Sequence, residues 1–132
     1  RPPEKTMANI LLIEDNHHNQ TVFTATLQHH QHHVTLASDG EEAIEILESM
    51  VPELIILDLS LPRIDGWTVA KSIRSSPTEA LTKVPIIAVT AHAMKGDRQR
   101  ALEAGCDEYL SKPISPRELA RKVTAVLRAH SS

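Results

Sequence analysis

Aromatic residues are scarce in this chain: Phe23, Trp67 and Tyr109 are the only three. The core must therefore be aliphatic, built from Ile, Leu, Val and Ala. The single cysteine, Cys106, excludes an internal disulfide and reads as a small buried thiol. No apolar run approaches the length of a bilayer span and no secretory leader pattern is visible, so a soluble, reducing, cytoplasmic setting is expected. Basic residues do not dominate either. Fourteen Lys and Arg face 17 Asp and Glu, a net charge of −3, which leaves no electrostatic footprint for nucleic acid. Neither Gly-x-x-x-x-Gly-Lys nor Gly-x-Gly-x-x-Gly occurs, so no loop cradles a nucleotide phosphate.

What is present suits one domain. A length of 132 residues with 41% hydrophobic content supports a real core without disulfides and argues against disorder. Residues 1–7 begin Arg-Pro-Pro-Glu and read as a linker outside the fold. Residues 8–129 read as the domain and 130–132 as a tail. Apolar runs at 10–13 (ILLI), 33–37 (HVTLA), 54–57 (LIIL), 85–89 (PIIAV) and, more weakly, 108–111 (EYLS) alternate with segments of helical period. Continuous rather than alternating hydrophobicity suits parallel strands covered on both faces.

The helices have readable ends. Asp39-Gly40-Glu41-Glu42 resembles a capping box, Ala43, Ile46, Leu47 and Met50 follow at helical spacing, and Pro52 ends the segment. Ser115-Pro116-Arg117-Glu118 combines a cap, a proline at the first helical position and a glutamate at the third. Gly105 closes the helix before the last strand. Five strand–helix units in strict alternation predict an α/β fold: a doubly wound parallel sheet with helices on both faces.

Ligands of such sheets bind beyond the carboxyl ends of the strands. The residues standing there are Glu14 and Asp15 after the first run, Asp58 after the third, Thr90 after the fourth and Lys112 at the end of the fifth. Three carboxylates gathered at one rim cannot all stay ionised without compensation. A hard divalent cation relieves the repulsion, and Mg2+ suits a few carboxylates with retained waters. A hydroxyl and an ammonium are a matched pair for phosphoryl oxygens. With no nucleotide loop, the phosphoryl group must arrive on another molecule. With no cysteine or histidine placed to receive it, the nucleophile must be a carboxylate, which forms an acyl phosphate.

These residues lie in four segments, ILLIEDN, LIILDLSLPRIDGW, PIIAVTAHA and GCDEYLSKPI, in that order. Together they resemble the receiver domain of two-component response regulators, from Ala8 to about Arg128. The resemblance implies a flavodoxin-like five-stranded sheet of order 2-1-3-4-5. It implies that Asp58 accepts a phosphoryl group from a phosphohistidine on a histidine kinase or histidine phosphotransfer protein. Asp15, Asp58 and the Ser60 backbone carbonyl would ligate Mg2+, with Glu14, where many members have Asp, acting through water. Lys112 would pair with Asp58 and then with the bound phosphoryl group. Thr90 would hydrogen-bond a phosphoryl oxygen beside the Ala91 amide, and Tyr109 would be the switch aromatic. The Lys112–Pro113 peptide is commonly cis in such domains. Ser60 and His92 occupy places that tune acyl-phosphate lifetime. Switching would reshape the face of the fourth helix, fifth strand and fifth helix for a downstream protein target. The domain would not be an enzyme in the ordinary sense, although it would catalyse its own phosphorylation and dephosphorylation. It would bind neither nucleic acid nor membrane. The expected context is a single-domain regulator, or a receiver belonging to a hybrid kinase or a longer regulator.

Two other functions compete. A phosphatase of the haloacid dehalogenase type needs a second acid two residues after the nucleophile, where this chain has Ser60. A phosphorylation-independent module of the same fold usually lacks an acid or the lysine, and neither is missing here. Away from the rim, His29-His30-Gln31-His32-His33 reads as an exposed, frayed helix end rather than a zinc site. Trp67, after Asp65-Gly66, reads as a half-buried anchor.

Overall fold

The computed structural model describes residues 7–91 and 95–130. Five strands, β1 (Asn9–Ile13), β2 (His33–Ala37), β3 (Leu54–Asp58), β4 (Ile86–Thr90) and β5 (Glu108–Ser111), alternate with five helices, α1 (His17–His29), α2 (Gly40–Leu47), α3 (Gly66–Arg74), α4 (Asp97–Glu103) and α5 (Pro116–His130). A 3-10 turn, Glu79–Lys83, precedes β4. All pairings are parallel and the order is β2-β1-β3-β4-β5. β2 and β5 coincide with their runs, whereas β1, β3 and β4 differ from theirs by one residue: Pro85 stands outside β4 and contributes only its carbonyl, to Ile55 N.

The period-two alternation of each strand divides the core in two. Leu11, Ile13, Ile55, Leu57 and Ala88 face α2, α3 and α4, packing on Ala43, Leu47, Val69, Ala70, Ile73 and Ala101. Ile10, Leu12, Ile56, Ile87 and Val89 face the other way, onto Phe23 and Leu27 of α1 and Leu119, Val123, Val126 and Leu127 of α5. β3 and β4 are buried along their whole length, as continuous apolar runs require.

Caps end the helices where the residue types demand. Asn16, Asp39, Asp65 and Ser115 each accept a backbone N–H three residues on. The box at Asp39 differs from expectation, because the Glu42 carboxylate bonds the Ser38 N–H instead of that of Asp39. Gly105, at φ 104°, closes α4 in a Schellman turn: Cys106 N bonds Ala101 O at 3.0 Å and Gly105 N bonds Leu102 O at 3.1 Å.

The histidine-rich segment is not a frayed end, and His32 is not exposed. α1 closes in the same turn, with Gln31 taking the left-handed position at φ 69°, His32 N on Leu27 O (3.0 Å) and Gln31 N on Gln28 O (2.8 Å). The turn folds the following residue back under the helix. His32 is accordingly 7% exposed, whereas His29, His30 and His33 face solvent. Its Nδ1 is buried without a hydrogen-bond partner. Burial, with repulsion from His30 adding to it, holds the imidazole below its ordinary 6.5. The fold thus favours the neutral ring. The stability this supplies is complete above pH 6.5 and is lost as pH falls through the depressed folded value. His32→Leu is expected to flatten the decline of the urea midpoint between neutral pH and pH 5 relative to wild type. Parallel declines in the two proteins would refute this.

Arg74 holds the far end of the sheet together. Its guanidinium donates to Gly105 O (2.8 Å), Thr82 O (3.2 Å), Val84 O (2.7 Å) and Asp107 Oδ2 (2.9 Å). Asp107 Oδ2 also accepts Ile86 N at 2.8 Å, so one carboxylate joins α3 to the start of β4. Arg74→Ala strands three carbonyls and an acid, and is expected to cost about 3 kcal/mol of unfolding free energy. Arg74→Lys should recover little of it, since one ammonium cannot span this fork. Denaturant unfolding of both variants checks the ranking.

Candidate functional site

β1, β3, β4 and β5 all end at one rim of the sheet. The first strand's last ladder bond, Glu14 N to Ala37 O (3.0 Å), fixes the backbone from which Glu14 turns inward. Glu14 is 1% exposed and Asp58 3%, whereas Asp15 faces solvent. Oxygens of Glu14, Asp15 and Asp58 lie within 4.8 Å of one another. Among the described residues, no other set of three or more His, Cys, Asp or Glu side chains converges so closely, the histidine segment included.

Lys112 enters this group from the end of β5. Its Nζ is 2.9 Å from Glu14 Oε1 and 3.3 Å from Asp58 Oδ2, and its side chain is only 14% exposed. Its own N–H bonds Thr90 O at 2.8 Å, continuing the β4–β5 ladder past Ser111. The Lys112–Pro113 peptide is cis. Burial disfavours the ammonium, but the Glu14 and Asp58 carboxylates outweigh it and hold the amine above its ordinary value. Burial raises the Glu14 carboxyl, with repulsion from Asp58 in the same direction, against the pull of Lys112 and the Asn16 N–H. For Glu14, desolvation wins over the ion pair.

Three carboxylates and one ammonium leave two net negative charges in a small, largely buried space. One divalent cation cancels them, and an all-oxygen donor set suits a hard ion. The residues therefore fit Mg2+. Both oxygens of Glu14 already have partners, Lys112 on one and the Asn16 N–H (3.0 Å) on the other. Asp58 Oδ1 accepts the Ser60 N–H at 2.9 Å, which leaves Oδ2 toward Lys112.

The remaining expected residues fall as follows. Thr90 is buried, 4% exposed, at the end of β4. Ser60 and Ala91 are exposed beside it, and His92 lies outside the described residues. Tyr109 is half-buried on β5 against the α2–α4 side of the core, its hydroxyl enclosed without a hydrogen-bond partner. Burial, together with Asp97, pushes its phenol up. Trp67 packs against the same side, with the Arg100 guanidinium carbon 4.2 Å from its ring centroid.

Three contributors escape sequence reading. Gln20 Nε2 donates to Glu14 O (2.7 Å) and Ser38 Oγ (3.2 Å), tying α1 to the rim. Arg63, at φ 63° in the β3–α3 loop, pairs with Asp39 (2.8 Å) and Glu41 (3.0 Å) and ties that loop to α2. Gly66 sits directly against the backbone of Asp58 and Leu59.

Residues 10–124 match the model of the response regulator receiver domain. The chain belongs to that family. The receiver domain is 39% identical over 119 residues to the alkaline phosphatase synthesis transcriptional regulatory protein PhoP of Bacillus subtilis, covering 90% of this chain and 48% of that protein. It is 36% identical over 107 residues to the polar-differentiation response regulator DivK of Brucella ovis, covering 81% and 85%. The chain spans about half the length of PhoP and of the probable transcriptional regulator ycf27 of Guillardia theta, at 48% and 47%. Among solved structures, the receiver domain of sensor histidine kinase PA1611 from Pseudomonas aeruginosa is 40% identical, with a TM-score of 0.83 over 92% of this chain and 98% of that one. That structure has a magnesium ion coordinated in its active site cleft. Chemotaxis response regulator CheY4 of Vibrio cholerae is 26% identical, with a TM-score of 0.84 over 92% and 99%. The receiver domain is thus a signalling domain of two-component systems. None of its described helices is long and apolar enough to cross a membrane.

Proposed function

We propose that this receiver domain is a phosphorylation switch acting in the cytoplasm, with Asp58 as the acceptor and Mg2+ as the cofactor. The observation that carries the reading is the setting of Asp58. It is a buried carboxylate with one oxygen held by the Ser60 N–H and the other facing Lys112, in a group short of two positive charges. The donor is a phosphohistidine on a histidine kinase or phosphotransfer protein. An Asp58 oxygen attacks phosphorus, the P–N bond breaks, and the leaving imidazole nitrogen keeps its electron pair and takes a proton. Lys112 moves its charge onto the arriving phosphoryl oxygens, and the Thr90 hydroxyl and Ala91 N–H donate to them. Asp15, Asp58 and the Ser60 carbonyl hold the cation. The partners already on both Glu14 oxygens favour a contact through water for that residue. When bound, Mg2+ neutralises charge on the phosphoryl group. The enclosed, unpaired Tyr109 hydroxyl supports a side chain that can change place once Thr90 is drawn toward the phosphoryl group, altering the α4–β5–α5 face for a downstream protein. Ser60, and His92 two positions after Thr90 in sequence, set the lifetime of the acyl phosphate.

The test is intact mass after incubation with a small phosphodonor and Mg2+. Wild type is expected to gain one phosphoryl group and Asp58→Asn none. An equal gain in the variant would overturn the assignment.

A further inference from the structure

Two segments bring the acids of the rim together. The end of β1 carries Glu14 and Asp15, and the β3–α3 loop begins at Asp58 and carries Ser60. This loop has few backbone ties. Ser60 N bonds Asp58 Oδ1 at 2.9 Å, and Gly66 N bonds Leu59 O at 3.3 Å. Among the described residues, no backbone–backbone hydrogen bond holds residues 61–64. Side chains fix the stretch instead. Leu61 is buried in the core and Ile64 packs against it. Arg63 is held by charge, with Nη2 2.8 Å from Asp39 Oδ2 and Nε 3.0 Å from Glu41 Oε1. Two nitrogens on two separate acids fix the plane of the guanidinium, which a single ammonium contact could not do.

The start of α2, where these acids stand, is itself firmly placed. Asp39 Oδ1 accepts the Glu42 N–H at 2.8 Å, so one carboxylate both caps the helix and receives Arg63. Gly40 lies close against the same loop: a Cβ there would stand 3.1 Å from Ile64 O. One residue before Asp39, Ser38 Oγ accepts Gln20 Nε2, which also donates to Glu14 O. The β2–α2 turn is therefore tied to both acid-bearing segments, through Gln20 on one side and Arg63 on the other.

Stability does not account for Arg63. Its side chain is 65% exposed, and ion pairs in such a setting contribute little. Its backbone is left-handed, at φ 63°, which works against any residue but glycine. The two effects are of similar size and opposite sign. What the pairs supply is position, in a loop that its own backbone leaves loosely tied.

We propose that Arg63 is a positioning residue for the cation: clamped on Asp39 and Glu41, it sets the β3–α3 loop so that Asp58 and the Ser60 carbonyl meet Mg2+ together. This role rests on the rim's binding Mg2+. The charge of Arg63 separates the clamp from a mere field effect. A positive charge beside the rim repels a cation, so an Arg63 acting only through space would weaken Mg2+ binding and its removal would tighten it. A clamp gives the opposite sign.

The probe is MgCl2 without phosphodonor, titrated at constant ionic strength and followed by amide chemical shifts. Wild type should show saturable shifts around Asp15, Asp58 and Ser60. Arg63→Gln makes the same demand on the backbone and should raise the Mg2+ dissociation constant at least about threefold, toward the effect of losing a group that orients a ligand. Asp39→Asn with Glu41→Gln removes the clamp from the α2 side and keeps the helix cap, since asparagine caps as well as aspartate. That pair should raise the constant too, and adding Arg63→Gln to it should raise it no further. Urea midpoints of all variants in chelator should stay close to that of wild type. An unchanged or lower constant in Arg63→Gln alone overturns the proposal, and so does further weakening when the three substitutions are combined. A marked fall of the urea midpoint of Arg63→Gln in chelator overturns it as well, because Arg63 would then be a general support of the fold. Failure of wild type to take up Mg2+ would remove the rim's reading and the role of Arg63 with it, and that outcome shows in the wild-type titration alone.

Discussion

Lys112→Ala is expected to lower unfolding free energy by about 3–5 kcal/mol at neutral pH in the absence of divalent cations. The side chain it removes is the only cation within 4 Å of Glu14 or Asp58 among the described residues, at 2.9 and 3.3 Å. Both carboxylates are almost wholly buried. Left alone, they face each other and Asp15 without compensation. Two features separate this from simple loss of packing. Glu14 already has a folded pKa above its ordinary 4.5, so the fold favours its protonated form. The stability tied to that group is complete below 4.5 and is lost as pH rises through the folded value. Without Lys112 the carboxyl rises further, so the penalty should shrink as pH falls toward 5. Millimolar Mg2+ should also recover part of the loss, because it restores positive charge to the same space. Urea unfolding at two pH values, with Mg2+ and with chelator, reads both. A loss that is the same in all four conditions would mean that the lysine acts through its hydrocarbon stem.

Gly66→Ala is expected to damage stability and phosphoryl uptake together. A Cβ at this position would stand 2.5 Å from the Asp58 carbonyl oxygen and 2.5 Å from Leu59 Cα. Both are backbone atoms and cannot swing aside. Alanine favours a helix over glycine by about 1 kcal/mol, which would stabilise the first turn of α3 if space allowed. The overlap decides the sign, and we expect a net cost of about 3 kcal/mol, near the upper end for overpacking. To relieve it, α3 must draw back from the end of β3. That movement disturbs the segment whose Ser60 N–H holds Asp58 Oδ1. Unfolding by denaturant and the extent of phosphorylation by a small donor measure the two effects. Gly96→Ala is the contrast: nothing lies within 4 Å of the added carbon, and only the left-handed backbone at φ 90° opposes it.

These residues also show what sequence reading could reach. The rim constellation was legible because it follows from strand ends. Glu14, Asp15, Asp58, Thr90 and Lys112 each come just after an apolar run, and a parallel sheet brings all such positions to one edge. The caps at Asp39 and Ser115 and the closing turn at Gly105 were legible because their signals lie within a few residues. Contacts between distant segments were not. Arg74 meets Gly105 and Asp107 more than 30 residues away, and Gln20 meets Ser38 across 18. Nothing local distinguishes either from a solvated surface residue. Arg63 and Gln31 sit at left-handed backbone that residue preference assigns to glycine, so residue types alone predict no closing turn for α1 and an exposed His32. Each fold position imposes a backbone that costs a non-glycine residue about 1–2 kcal/mol.

The central claim is that clustered acids and Lys112 prepare Asp58 to carry a phosphoryl group in the presence of a divalent cation. Borohydride reduction tests it most directly, because it converts an aspartyl phosphate to homoserine and marks the residue permanently. After treatment with a small phosphodonor, peptide mass mapping should find homoserine at position 58 and nowhere else, and the mark should vanish when chelator replaces Mg2+. Homoserine at Asp15 or another acid, or a mark at position 58 that chelator leaves unchanged, would contradict the account.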